Sequence, residues 1–321
     1  MKIEKMSFHP YEIPFMSDQE RSGILVQITD KIGSNGWGDI APLPKWSKET
    51  LDEAFCQLNK KKNEIHAVDW TATNCLKELA KLALLPSVSF GLESALLSIL
   101  APIQACTVAA SALLMGSVKE ILEQAQCRKA EGFISAKLKV SNLRFEEAYQ
   151  VIKELKDKFR LRVDVNRAWD TEESIRFFSQ FAKDAFDYVE EPFKNPYDLI
   201  KFEHPLAIDE SYPENLSLAQ MSKLPNLKAL IYKPTIQGGV LGCLPLHEWT
   251  SERGIDLVLS SSFESDIGLA CVALIAHRLS LLSPVGIGTY HFMKEHLSPE
   301  PLRFSGGKVH IPSVIPSGVT R

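Results

Sequence analysis

ISAKLKVSNLRFEEAYQVIKELKDKFRLRVDVN, residues 134–166, decides the fold. It opens on a short apolar strand, ISAKLKV (134–140), and passes through an amphipathic helix, RFEEAYQVIKELKDKF (144–159). A second strand, LRVDVN (161–166), follows. A helix between two apolar strands is a βαβ unit, and its strands run parallel because the helix carries the chain back. Working outward, the unit recurs. ALLMG (112–116) lies upstream; FDYVEE (186–191), LAIDE (206–210), KALIYK (228–233), IDLVLSS (255–261) and VGIGT (285–289) lie downstream. Helix-like segments such as TEESIRFFSQFAK (171–183) separate them.

Eight such strands with seven intervening helices predict an α/β fold, a modified TIM barrel of (β/α)7β form, since no helix follows the eighth strand. The first hundred residues have a different rhythm. Residues 2–9, 22–30 and 35–41 read as a meander of strands, followed by helices near 69–83 and 88–100. Before these, Ser47 can cap a helix that places Leu51, Ala54, Phe55 and Leu58 on one face. The expected organisation is an α+β capping domain over 1–95 and a barrel over 96–290. A Pro- and Gly-rich tail, 291–321, is expected to pack on the cap and complete it.

Composition sets the outer bounds. The 321 residues carry 36 Lys and Arg against 40 Asp and Glu, a net charge of −4, with 45% apolar residues. That balance excludes a polybasic nucleic-acid arm and a disordered acidic chain. Cys56, Cys75, Cys106, Cys127, Cys243 and Cys271 are scattered without metal-ligand spacing, so free thiols in a reducing, cytoplasmic setting are expected. The N-terminus lacks the apolar run of a signal peptide. Ser94 to Val118 holds no charge over 25 residues, enough to span a bilayer. Pro102 would break a helix there, so two buried elements joined by a turn are expected, and no membrane span.

Charged residues are out of place on strands buried on both faces, yet here they gather at strand C-terminal ends, where a barrel of this type places its active site. They are Lys137 and Lys139, Asp164, Glu190 with Glu191, Asp209 with Glu210, and Lys233. Alone, Lys137 and Lys139 read as a solvated strand end, Asp164, Glu190 and Asp209 as helix N-caps, and Lys233 as a snorkelling lysine; their ordering along five strands is what carries meaning. Lys137 and Lys139, two apart, point to one side, and mutual repulsion would lower a lysine pKa toward that of a base. Converging carboxylates from successive strands repel unless a hard cation neutralises them, which suits Mg²⁺. Alternation allows only one member of each acidic pair to face inward, and spacing does not choose which. Asp170, before Thr171, is a better helix cap than Asp164. Ser260, Ser261 and Ser262 with Gly286 and Gly288 offer small groups and amides that could receive a carboxylate.

The motifs Lys137-x-Lys139, Asp164-x-Asn166, Glu190-Glu191-Pro192, Asp209-Glu210-Ser211 and Lys233-Pro234 resemble the enolase superfamily, in its muconate-lactonizing subgroup. GWGDIAPLPKWSKET (36–50), PSVSFGLESALL (86–97), LRVDVNRAW (161–169), IYKPT (231–235) and SSSFESDIGLA (260–270) carry the resemblance into the capping region. It implies Mg²⁺, with Mn²⁺ as a possible substitute, on Asp164, Glu190 and Asp209. Lys139 and Lys233 would flank the substrate, with Lys137, Ser260, Ser262 and Gly286 in contact with it. Arg162, Asn166 and Glu210 would support that set from behind. The implied reaction is loss of water from 2-succinyl-6-hydroxy-2,4-cyclohexadiene-1-carboxylate, with neutral Lys139 as base and Lys233 as ammonium on the opposite face. The partner is thus a small carboxylate, and the chain a monomer or small homo-oligomer.

Two rivals stand beside this reading. A racemase or dipeptide epimerase of the same subgroup would use the same two lysines, but Gly286-Ile-Gly288-Thr289 lacks the D-x-D expected to hold a dipeptide ammonium. A non-catalytic barrel scaffold is disfavoured because both lysines and all three carboxylates are kept. Ser141 and Lys45, where the resemblance leads one to expect glycine, and Asp266, where it leads one to expect a small residue, are departures that bear on substrate detail.

Overall fold

The computed structural model describes residues 1–15 and 20–312. The chain opens with an antiparallel meander, β1 (Ile3–Pro14), β2 (Glu20–Asp30) and β3 (Asn35–Ile40). Helices Leu51–Ala67, Cys75–Lys81 and Pro86–Leu100 pack on it. The alternation in NGWGDI explains the closeness of that packing. A Cβ at Gly36 or Gly38 would run into the backbone carbonyls of Ala95 and Gly91, so only glycine lets helix Pro86–Leu100 lie against β3. The intervening Trp37 and Asp39 turn the other way, toward the barrel, where Asp39 accepts from the Ser265 amide at 2.8 Å.

Two details of the cap differ from expectation. The first long helix is capped by Thr50, not Ser47: Thr50 Oγ1 accepts from the Glu53 amide and the Glu53 carboxylate accepts from the Thr50 amide. This reciprocal capping box satisfies two orphan donors. Ser47 instead accepts from the Leu43 amide, folding the preceding loop, and Phe55 is exposed rather than on the buried face. The second helix starts at Cys75, because Thr71 to Asn74 close a turn with Asn74 Oδ1 accepting from the Thr71 amide.

The uncharged stretch 94–118 resolves into the end of helix Pro86–Leu100, a turn at Pro102, β4 (Cys106–Ala109) and β5 (Ala112–Leu114). Among the described residues no helix is long and apolar enough to cross a membrane. The parallel sheet then runs through β5, β6 (Ser135–Lys139), β7 (Arg160–Asp164), β8 (Tyr188–Glu190), β9 (Leu206–Ile208), β10 (Leu227–Tyr232) and β11 (Asp256–Leu259) in unbroken sequential order. The expected eighth strand is reduced to two bridging residues. Val285 pairs with Ala110 and Gly286 with Ser260, both parallel, and these bridges close the ring. Beyond them the chain turns at once into a 3₁₀ helix, Gly288–Phe292. Two expected barrel helices are also minimal, a 3₁₀ turn Pro196–Lys201 and a single turn Leu218–Met221.

After the barrel the chain touches the cap through the bridge of Met293 to Phe15 and the Lys294 amide donating to the Pro14 carbonyl. Its hairpin, β12 (Arg303–Ser305) and β13 (Lys308–Ile311), adds to β4 rather than to the meander. Residues 313–321, the end of the expected tail, lie outside the described residues.

Candidate active site

The site is built by register. Lys139 of β6 pairs with Asp164 of β7, which pairs with Glu190 of β8, so these three side chains form one layer at the C-terminal rim. Lys137, Arg162 and Tyr188 pair in the same way two residues earlier and form the layer below, since inward residues recur every second position. Lys137 therefore reaches up between carboxylates. Its Nζ lies 2.8 Å from Asp164 Oδ2 and 2.7 Å from Glu190 Oε1. Lys139 Nζ donates to Asp164 Oδ2 at 3.1 Å and to Asn166 Oδ1 at 2.8 Å. Across the mouth Lys233 pairs with Asp209.

The charges tune one another. Burial opposes the charge of Lys137, but Asp164, Glu190 and Asp209 outweigh it and hold the ammonium well above the usual lysine range. Lys233, likewise buried, is raised by Asp209. The lowering expected from the Lys137–Lys139 pair is thus not seen at Lys137, whose three carboxylate neighbours outweigh burial. Asp164 is pulled below the usual carboxylate range despite burial, by Lys137 and Lys139. Glu190 goes the other way, driven well up by burial and by Asp164.

Glu190, Asp209 and Glu210 bring carboxylate oxygens within 4.8 Å of one another. Both Asp209 and Glu210 reach this group because β9 ends at Ile208; strand alternation does not bind loop residues. Among the described residues, Glu190 Oε2 and Glu210 Oε2 are buried without a partner. Buried carboxylate oxygens lacking a donor, in a set of hard oxygens, fit a divalent cation. Glu191 turns away from the barrel axis. Held at φ +46, it accepts from the amides of Asp209 and Ser211, both at 2.8 Å, and from Ser211 Oγ at 2.5 Å, fixing the Asp209 loop.

A cavity of about 130 Å³ opens in the barrel mouth beside Glu190. Lys137, Lys139, Glu190 and Lys233 line it with Asn166, Arg162, Ser260, Ser262 and Gly286. Ser262 is buried, and among the described residues its hydroxyl lacks a partner. Arg162 sits at the floor, donating to Asp187 Oδ2 at 2.9 Å and to the Pro284 carbonyl at 2.8 Å, which ties β8 to the closing residues 285–286. The Asn166 amide donates to Asp164 Oδ1 at 2.9 Å, with Asn166 at φ +48. Asp170 does hold the N-cap position of helix Thr171–Phe178, but its carboxylate pairs with Lys194 instead of capping.

The capping domain contributes residues of its own that no motif marked individually. Leu43 and Trp46 line the cavity, and the Trp46 ring lies 5.3 Å from Lys233 Nζ, a cation–π contact. The apolar wall of Tyr188, Ile231 and Val258 also escaped notice. An aromatic inside the Pro-rich loop 42–46 was the available signal for the first.

Residues 120–319 match the family model of enolase C-terminal domain-like proteins, and residues 15–99 match that of the MenC N-terminal domain. The chain therefore belongs to the enolase superfamily. Within it, similarity runs to o-succinylbenzoate synthases. That of Vibrio cholerae serotype O1 is 30% identical over 87% of this chain and 84% of its own length. That of Pasteurella multocida is 29% identical over 91% of this chain and 90% of its own. Among solved structures, the L-Ala-D/L-Glu epimerase from Bacillus subtilis superposes with a TM-score of 0.84 at 18% identity, covering 99% of both chains. MenC from Desulfotalea psychrophila superposes at 0.79 with 19% identity, covering 96% of this chain and 99% of that one. At such identities the structural likeness speaks for the fold alone.

Proposed function

We propose that this enzyme carries out the o-succinylbenzoate synthase reaction of menaquinone biosynthesis: 2-succinyl-6-hydroxy-2,4-cyclohexadiene-1-carboxylate loses water to give 2-succinylbenzoate. The observation that carries the reading is the convergence of Lys139, Lys233 and Glu190 on one cavity, in a chain whose curated relatives bear that name.

Glu190 and Asp209, with Asp164 and with Glu210 beside them, would hold Mg²⁺, and Mn²⁺ could substitute. When bound, the cation supplies Lewis-acid stabilisation of negative charge developing on the substrate carboxylate. Asp164, when it serves as a ligand, would release Lys139 from the ion pair that now holds it. Lys139, as the neutral amine, takes the proton α to the ring carboxylate. Lys233 stays protonated and stabilises the developing charge from the opposite face. Lys139 then returns a proton to the departing hydroxyl, and water leaves as the ring becomes aromatic. The first step is the hard one, because aromatisation drives the second. Ser260, Ser262 and Gly286 would receive the succinyl arm, while Leu43 and Trp46 close the mouth and exclude water.

With this activity goes a cytoplasmic enzyme, monomeric or a small homo-oligomer, acting on a small carboxylate without nucleic acid or membrane. The working division is a cap over 1–95, a barrel over 96–290 and a tail over 291–321. Two assays with purified protein and Mg²⁺ test the function. Appearance of the aromatic product supports it; absence of dehydration together with α-proton exchange on an N-acylamino acid in D₂O would replace it with an epimerase.

A further inference from the structure

Helix Gly239–Ser251 begins without a side-chain cap of its own. Gly238 occupies the N-cap position at φ +100, and Gly239 follows at φ +62. The first amides of a helix lack intrahelical partners, and buried ones need an acceptor. Here the acceptor comes from the capping domain. Glu93, fully buried on helix Pro86–Leu100, accepts through Oε2 from the Val240 amide and from the Leu241 amide at 3.3 Å. Its Oε1 accepts from Ser89 Oγ at 2.6 Å. Gly239 makes room for it, since a Cβ there would run into the Glu93 carboxylate. A carboxylate at this end also meets the positive pole of the helix dipole.

The turn that Glu93 holds is the one that carries Lys233. Tyr232 Oη donates to the Gly239 carbonyl at 2.8 Å, the Lys233 amide donates to Gln237 Oε1 at 2.7 Å, and the Gly238 amide closes on the Pro234 carbonyl at 3.0 Å. Residues 232–241 thus form one hydrogen-bonded unit, tied at its start to β10 and at its end to Glu93. We propose that Glu93 is a positioning residue, a helix cap supplied by another domain, which sets the Lys233 loop through docking of the capping domain. The proposal rests on the role given to Lys233 above.

Two variants of similar size separate acceptor from bulk. Glu93→Gln keeps a carbonyl oxygen for the two amides, whereas Glu93→Leu leaves them unsatisfied. With folding checked by circular dichroism, Glu93→Leu is expected to lower kcat roughly tenfold or more while KM stays within about twofold, as for a small misplacement of a reacting group. Glu93→Gln should restore kcat to within about threefold of the parent, because a neutral acceptor replaces a charged one. Hydrogen exchange at Val240 and Leu241, which needs no substrate, should speed up in the leucine variant and not in the glutamine variant. A leucine variant with parental kcat, or with parental exchange at those two amides, overturns the proposal. Should the parent protein fail to dehydrate its substrate, the functional reading falls, and the exchange result still decides whether Glu93 holds this loop.

Discussion

Glu191 shows how much of a charged site is built by residues that never face the cavity. Its carboxylate takes three donors from the 209–211 loop, and so fixes the direction of Asp209. Removing it in Glu191→Ala leaves buried amides without an acceptor and loosens the loop that carries Asp209. Loss of such a supporting partner usually costs about 10- to 100-fold in metal affinity. A Mg²⁺ titration of turnover should show that loss, with activity recovered at saturating metal. At this scale the sequence was informative where chemistry is unusual for its place. Lysines and carboxylates on buried strand ends stood out, and Lys137, Lys139, Glu190 and Lys233 among them line the cavity. The choice within Glu190-Glu191 and Asp209-Glu210 was not legible, because it depends on where each strand stops. Trp46 carried only a weak mark, an aromatic in the Pro-rich loop 42–46, because a loop residue from a separate domain has no periodicity.

At the scale of elements, the strands of the barrel could be read because their apolar runs are short and regularly interrupted. The eighth was overread. Gly286 and Gly288 lie in a segment that bridges both neighbours for two residues and then turns into a 3₁₀ helix. The cap of the first long helix was misread for a local reason. Ser47 and Thr50 both precede an apolar face, but only Thr50 stands three residues before an acidic partner, Glu53, that answers its own amide. Thr50→Ala should therefore cost about 1 kcal/mol of stability. Denaturant unfolding checks it. The variant should keep parental kcat, because this helix lies apart from the cavity.

For the whole molecule, the seam between cap and barrel is built from buried carboxylates. Asp39 of β3 accepts from Tyr11 Oη at 2.9 Å and from the Ser265 amide and hydroxyl at 2.8 and 2.7 Å. Burial nevertheless pushes its carboxyl up to about 6, from an ordinary value of 3.8. Between those values the folded protein holds a proton that the unfolded chain releases, so Asp39's contribution is full below pH 3.8 and lost as pH rises to about 6. Relative to the parent, Asp39→Asn should gain stability as pH rises through that window and level off above it. Chemical denaturation at a series of pH values measures the difference. A seam of this kind was not foreseeable from the sequence, since Asp39, Glu93 and Ser265 are far apart in the chain and only the fold brings their elements together.

In the proposed reaction Lys139 is the base, separate from the groups that would hold the cation. Turnover of Lys139→Ala, measured beside the Mg²⁺-dependent rise in its thermal transition, tests it most directly. The expected result is a loss of turnover of about 10³-fold or more, with the Mg²⁺-induced stabilisation kept, since binding to the folded state still shifts the transition. Parental turnover in that variant would contradict the account.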